Sequence, residues 1–277
     1  MTKEDISANS DGCKYRNDVD LLKRATNPLV IIVDYVTDNT TVLDIGCACG
    51  DLGIALKKYK NSEMYGLEYN QKSVEIALTT GAYQKVHQFD LEKLSEEDFP
   101  EYKNKFDYII CADILEHLRN PMKVLEILKQ YLKKEGQIIV SIPNVAHMSI
   151  KSNLLLNDFT YTSVGLLDAT HIHLFTYKSI ASELSSIGLA VDECLFTLQS
   201  LTAWQPANPY PYLPNVVKYF ILLDWHSYVC QYIAKISASP LSEEELLKNN
   251  LAKLDINESN APEYIREYRD AVLACFE

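Results

Sequence analysis

The sequence predicts an α/β fold, a doubly wound sheet over residues 41–200 with helices on both faces. Three observations carry that expectation. Short apolar runs alternate with amphipathic stretches, the pattern of a parallel sheet with crossover helices. One run, Phe106-Asp107-Tyr108-Ile109-Ile110-Cys111, is almost continuously apolar, as a strand covered on both faces must be. Finally, Thr41-Val42-Leu43-Asp44-Ile45 reads as a strand that passes through Gly46-Cys47-Ala48-Cys49-Gly50 into Leu52, Ile54, Ala55 and Leu56, the start of a helix. A strand, a glycine turn and a helix in that order make a nucleotide-type binding corner.

Taken in order, residues 1–40 read as a helical lead-in. Leu21, Leu22, Ala25, Leu29 and Ile32 suggest one or two helices broken at Pro28. The strand and glycine turn follow, then a helix to about Tyr59 and a strand over 63–68. Glu68 closes that strand 18 positions beyond Gly50. A βαβ nucleotide site places a carboxylate there to accept hydrogen bonds from ribose hydroxyls. The plain alternative is a solvated strand-end glutamate, and the glycine turn at the right distance favours the ribose role. A helix over 72–80 ends at Gly81. Residues 83–89 form a third strand ended by Asp90, and 106–111 a fourth. Asn120 is expected to cap a helix that has Pro121 at its first position and Gly136 at its end. A strand over 137–142 stops at Pro143. A helix over 178–187 carries Ile180, Leu184 and Ile187 on one face and ends at Gly188, and 189–197 is another strand.

Beyond Ser200 the texture changes. Pro206, Pro209, Pro211 and Pro214, with Trp204, Tyr210 and Tyr212, make an aromatic loop. The apolar stretch 216–236 is expected to be helical. Ser242-Glu243-Glu244-Glu245 is a capping-box start for a helix through Leu254, and 262–275 reads as helix. Residues 201–277 are thus expected to form a helical segment, serving either as a lid over a pocket or as a homodimer interface. Its aromatic residues suit both roles.

Composition narrows the functional classes. Of 277 residues, 47% are hydrophobic and 23% charged, ordinary for a globular protein. The net charge is −12 and no dense Lys/Arg run exists, which disfavours a nucleic-acid partner. The seven cysteines are odd in number and scattered, an arrangement expected of reduced thiols and a cytoplasmic location rather than a disulfide framework. Residues 1–17 lack the apolar core of a signal peptide. The most hydrophobic window, 216–236, is interrupted by Lys218, Asp224, His226 and Lys235, too often to span a bilayer.

These residues together resemble the class I S-adenosylmethionine-dependent methyltransferases over about 40–200. The resemblance rests on Val42-Leu43-Asp44-Ile45-Gly46-Cys47-Ala48-Cys49-Gly50, Gly66-Leu67-Glu68, Phe89-Asp90-Leu91, and Phe106 through Cys111 followed by Ala112-Asp113-Ile114-Leu115-Glu116-His117-Leu118 and Pro121. Ile142-Pro143-Asn144-Val145-Ala146-His147 and the segment from Gly165 to Thr176 look like a subgroup found with sugar and surface-glycan pathways. The quinone-biosynthesis O-methyltransferases are more distant relatives. One departure is Ala48, where the family commonly has glycine.

The resemblance implies a Rossmann-like, mainly parallel, seven-stranded sheet, and S-adenosylmethionine as methyl donor. The backbone of Gly46, Cys47 and Gly50 would line the methionine half, with Asp44 beneath it meeting the amino group. Glu68 would hold the ribose and Asp90 the adenine amino group, with Leu91 beside the ring. Cys111 and Ala112 would lie near the methionine half. A nicotinamide enzyme would use a similar corner, but its third glycine comes later than Gly50 does.

Methyl transfer to a hydroxyl also needs a base, and a positioned histidine typically contributes about 10²- to 10⁴-fold. Of the six histidines, His171 is the first candidate, with Asp168 orienting it, and His147 the second. A histidine that only ties a loop is the plain alternative. No metal is expected. The alternative set is Asp113, Glu116 and His117, read as sharing one face at the start of a helix, with His171 or His147 nearby to complete a mixed oxygen and nitrogen site. The expected acceptor is a small polar molecule, a hydroxyl on a sugar or surface-glycan precursor. An N-methyltransferase, a quinone or phenol O-methyltransferase, and a non-catalytic cofactor-binding subunit remain open.

Overall fold

A computed structural model describes residues 27–198, 209–261 and 263–274. The expected helix before Pro28, together with Trp204 and Pro206 of the aromatic loop, lies outside them. In chain order the elements are α1 (Pro28–Tyr35), β1 (Thr41–Ile45), α2 (Asp51–Lys60), β2 (Glu63–Glu68), α3 (Gln71–Thr79), β3 (Tyr83–Gln88), β4 (Phe106–Ala112), α4 (Pro121–Leu128), β5 (Leu132–Pro143), α5 (Met148–Leu155), α6 (Tyr177–Ser186), β6 (Leu189–Leu198), α7 (Asn215–Leu222), β7 (Val229–Ala238), α8 (Glu243–Leu254) and α9 (Glu263–Leu273). The strand order is β3-β2-β1-β4-β5-β7-β6. Contacts divide the chain into two units, one with Leu29–Ile114 and Asn120–Val140, the other with Leu115–Arg119 and the chain from Ser141 onward.

In the first unit β1 pairs in parallel with both β2 and β4, and β2 pairs in parallel with β3. Val42, Leu43, Ile45, Met64, Leu67, Ile109 and Ile110 are buried, as strands covered on both faces require. The order reverses between β1 and β4, because β2 and β3 lie on one side of β1 and β4 on the other. Open α/β sheets bind ligands outside the carboxyl ends of the strands at such a point.

In the second unit β6 and β7 pair antiparallel. Asn250 of α8 is fully buried and holds this edge. Its Oδ1 accepts from Val191 N at 2.7 Å, and its Nδ2 donates to Leu189 O at 2.9 Å and to Ser185 Oγ at 3.0 Å. Val191 lies where the β6–β7 register shifts, so a side chain completes the hydrogen bonding there. The expected capping box of α8 is present, with Ser242 N donating to Glu245 Oε2 at 3.1 Å and Glu245 N to Ser242 Oγ at 3.4 Å.

The structure corrects four local expectations. The stretch 216–236 is helical only to Leu222, and Val229–Ala238 is the seventh strand. A buried apolar run fits either element by periodicity, and pairing with β6 decides it. Gly136 does not end a helix but lies inside β5, where a Cβ would come within 2.8 Å of Phe106 O. Asn120 makes no side-chain cap at α4. Cys49 is disulfide-bonded, whereas Cys47, Cys111, Cys194 and Cys230 are free thiols. Among the described residues no helix is long and apolar enough to cross a membrane.

Candidate active site

The first unit gathers the expected cofactor residues at the carboxyl ends of β1, β2, β3 and β4. Gly46 has φ +70°, and a Cβ there would collide with the side chain of Ile114. Its N–H and that of Cys47 donate to Leu67 O at 2.8 and 3.2 Å, which folds the bend back over β2. Ala48 also adopts a left-handed conformation, φ +46°, so alanine takes the shape that glycine takes more easily. Gly50 precedes α2 as its N-cap.

Glu68 ends β2 with both carboxylate oxygens engaged. Ala48 N donates to Oε2 at 2.9 Å and Asn70 N to Oε1 at 2.7 Å. A carboxylate has about four acceptor positions, so this anchoring orients Glu68 and leaves lone pairs for hydroxyl donors. Asp90 follows β3 and caps a 3-10 turn over Leu91–Lys93, accepting from Glu92 N at 3.2 Å, with Lys93 Nζ 3.4 Å from its Oδ2. Leu91 is half-buried beside it, and Cys111 and Ala112 close β4.

Asp44 is buried within β1, and Tyr83 Oη donates to its Oδ2 at 2.7 Å. Sequence reasoning missed Tyr83, which comes from a strand 39 residues away. Burial pushes the Asp44 carboxyl up to about 7; the Tyr83 hydrogen bond lowers it and the charge of Glu68 raises it further. Burial, with Asp44 and Glu68 nearby, also holds the Cys47 thiol far above the usual thiol range, so Cys47 is a neutral packing group rather than a nucleophile.

The residues fit S-adenosylmethionine. A bare-backbone bend gives close approach, and three carboxylates at neighbouring strand ends match the ammonium, ribose hydroxyl and adenine amino donors of that molecule.

The second unit gathers the histidines. Leu115–His117 is a 3-10 turn, not the start of an α-helix, and Asp113 before it has φ +53°, so the expected shared helix face does not form. This turn is stitched to residues 170–173. Glu116 O accepts from Ile172 N at 2.8 Å and His173 N at 3.0 Å, and His173 Nε2 donates to Arg119 O at 3.2 Å.

A backbone carbonyl can only accept, so its partners fix two tautomers. His117 Nδ1 faces Thr170 O at 3.0 Å and His171 Nδ1 faces Leu166 O at 3.1 Å. Both Nδ1 atoms therefore carry hydrogen, and both Nε2 atoms carry the lone pair. The two rings meet edge to face with centroids 4.8 Å apart. One ligand atom each from Glu116, His117 and His171 lies within 4.8 Å of the others. His171 thus joins Glu116 and His117 in the place the alternative set gave to Asp113.

Asp168 acts on the loop backbone. Its Oδ1 accepts from Thr170 N at 2.9 Å and Thr170 Oγ1 at 2.7 Å, and its carbonyl accepts from His171 N at 2.9 Å. Leu166 O meets the His171 ring at Nδ1.

His147, the N-cap of α5, differs. Its Nδ1 accepts from Ser149 N at 3.3 Å, and burial, helped by the Lys151 charge, pushes its pKa down to about 3. That geometry counts against the role of second-choice base, because the lone pair is already committed.

Residues 36–185, more than half of the chain, match the methyltransferase domain family. A ubiquinone biosynthesis O-methyltransferase of Neisseria meningitidis serogroup A is 26% identical over 124 residues, covering 43% of this chain and 51% of that protein. N-methyltransferase 4 of Papaver somniferum is 26% identical over 144 residues, covering 50% of this chain and 40% of that protein. The chain therefore spans about half the length, or less, of these curated relatives. Among solved structures, an O-methyltransferase of a trans-AT PKS multienzyme of Brevibacillus brevis, in complex with S-adenosyl-L-homocysteine, superposes with a TM-score of 0.52 at 18% identity, over 87% of this chain and 78% of that one. With the glycine bend of β1 and the carboxylates that follow it, these matches establish that the chain belongs to the methyltransferase domain family and has the fold of the class I S-adenosylmethionine-dependent methyltransferases.

Proposed function

We propose that the protein transfers a methyl group from S-adenosylmethionine to a hydroxyl of a small polar acceptor, a sugar or surface-glycan precursor, with His171 as general base. The observation that carries the donor half is the set of three carboxylates, Asp44, Glu68 and Asp90, around the Gly46 bend. The cofactor supplies a methyl group already activated on a sulfonium. Glu68, held by the Ala48 and Asn70 amides, grips the ribose, while Asp44 gives up its proton and meets the ammonium as an anion. For the acceptor half, the His171 ring is oriented by Leu166 O and presents a basic Nε2. Proton removal at that atom lets the hydroxyl oxygen attack. The sugar class rests on the likeness of residues 142–147 and 165–176 to the glycan-pathway subgroup.

The test uses methyl-labelled S-adenosylmethionine with UDP-galactose, a dTDP-sugar, a catechol and a primary amine as separate acceptors. Label on a nucleotide sugar is expected. Label on the catechol or the amine would replace the acceptor class. His171→Ala is expected to lose at least about 100-fold in turnover while keeping its affinity for S-adenosylhomocysteine. Near wild-type turnover would remove His171 from the mechanism. Cofactor binding with no transfer to any acceptor would favour a non-catalytic subunit.

A second reading is favoured by one observation, the convergence of Glu116, His117 and His171. Two imidazole nitrogens and a carboxylate suit a divalent transition metal, and ligating histidines typically donate the other ring N–H to a carbonyl, as His117 and His171 do. A divalent ion there would supply Lewis acidity that eases deprotonation of the acceptor hydroxyl. Elemental analysis of the purified protein, with turnover before and after exhaustive chelation, separates the readings. A stoichiometric metal whose removal abolishes turnover supports the ion, and full turnover after chelation leaves His171 as the base.

A further inference from the structure

His147 is 2% exposed, and its Nε2 is a buried atom with no hydrogen-bond partner among the described residues. Its neighbours fix which atom carries the hydrogen. Ser149 N lies 3.3 Å from Nδ1, and a backbone N–H can only donate. Ser149 Oγ lies 2.8 Å from the same nitrogen. Nδ1 is therefore an acceptor, and in the neutral ring the hydrogen sits on Nε2. Burial together with the Lys151 ammonium pushes the ring pKa down to about 3, which favours the neutral ring. Lys151 is itself paired with Asp224 and bonded to Ser227 Oγ at 2.7 Å, so its charge is fixed in place.

What results is a donor, Nε2–H, withdrawn from solvent at the N-terminal end of α5. A buried donor left unmet is unfavourable, and a helix N-terminus favours electron-rich partners. Both point to an oxygen.

We propose that His147 is a substrate-binding residue whose Nε2–H donates a hydrogen bond to an oxygen of the acceptor molecule. The proposal rests on the methyl-transfer reading and divides the labour between two histidines of opposite tautomer. His171 takes a proton through Nε2, and His147 holds an oxygen through Nε2–H. An acceptor with several neighbouring oxygens, as on a sugar ring, can engage both; a protonated amine, which has no lone pair, cannot accept from the His147 N–H.

The test is nitrogen-15 NMR of the histidine rings in the wild-type protein, with His147 assigned by loss of its signals in His147→Asn. Bound S-adenosylhomocysteine is present throughout, and the probes are UDP-galactose, UDP-glucose, GDP-mannose and dTDP-rhamnose at millimolar concentration. Expected in the absence of probe are a protonated Nε2 and an acceptor Nδ1. Expected with at least one probe is a downfield move of the Nε2–H proton that S-adenosylhomocysteine alone does not cause. A protonated Nδ1, or an Nε2–H signal unmoved by all four probes, overturns the proposal. Failure of S-adenosylhomocysteine itself to bind, seen by calorimetry on the same sample, would instead sink the methyl-transfer reading. With any probe that is turned over, His147→Asn is expected to raise KM about 5- to 10-fold and to leave the pH profile of kcat unchanged. Loss of the basic limb would make His147 a base and refute its donor role.

Discussion

Replacing Asp44 by asparagine is expected to stabilise the cofactor-free protein at pH 8 and to do nothing of the kind at pH 5. The carboxyl titrates at about 7 in the fold and at its ordinary value of 3.8 in an unfolded chain. A group with a raised folded pKa holds its proton more tightly in the fold. The stability this confers is fully present below about pH 4 and is lost as pH rises through 7. At about 1.36 kcal/mol per pH unit, the loss across that window is about 4 kcal/mol. Asparagine is neutral throughout and keeps an oxygen for the Tyr83 hydroxyl, but it buries an amide NH₂ whose unmet bonds cost about 1–3 kcal/mol. The variant is thus expected to gain about 1–3 kcal/mol at pH 8 and to be level with or below wild type at pH 5. The assay is denaturant unfolding of both proteins at four pH values from 5 to 8. A stability difference that does not change with pH would refute the reasoning. So would a difference that shrinks as pH rises.

Two further outcomes follow from described geometry. If Asp44 meets the ammonium of the cofactor as an anion, binding S-adenosylhomocysteine at pH 6.5 releases about 0.8 proton; calorimetry in two buffers of different ionisation enthalpy measures it, and zero release removes Asp44 from the ammonium site. Asn250→Ala strips a partner from Val191 N, Leu189 O and Ser185 Oγ at once and is expected to lower stability by about 2–4 kcal/mol. Urea unfolding checks the magnitude, and hydrogen exchange is expected to show the faster amides in β6.

The site's acidic half was readable in advance because its parts are local. A glycine bend after a strand and a carboxylate closing each of the next two strands stand in fixed order along the chain, and Ser242 with Glu245 announces its helix within four residues. The unread parts depend on contacts between distant segments. Tyr83 reaches Asp44 from a different strand, and no local pattern marks it. Glu116 and His117 were visible as neighbours with His171 or His147 as a possible third group, and the choice of His171 follows from the backbone bonds that tie residues 170–173 to the 3-10 turn. The tautomers of His147 and His171 are set by Ser149 N and Leu166 O, and imidazole rings look alike in a sequence. The strand at Val229–Ala238 was hidden because a run of buried apolar residues suits helix and strand equally. Only its partner β6 tells them apart.

The β6–β7 pair joins antiparallel neighbours through residues 199–228, a connection far longer than the two to five residues usual for a hairpin. Lengthening a flexible closure adds only about 0.6 kcal/mol for each doubling, while the strand pairing and the Asn250 clamp stand on residues outside it. The connection leaves Val216 and Phe220 of α7 exposed, but its last residues are tied to their unit: Asn144 Nδ2 donates to His226 O at 2.9 Å, Lys151 pairs with Asp224, and Tyr228 is fully buried. A change of length that preserves these ties is expected to leave the β6–β7 register in place.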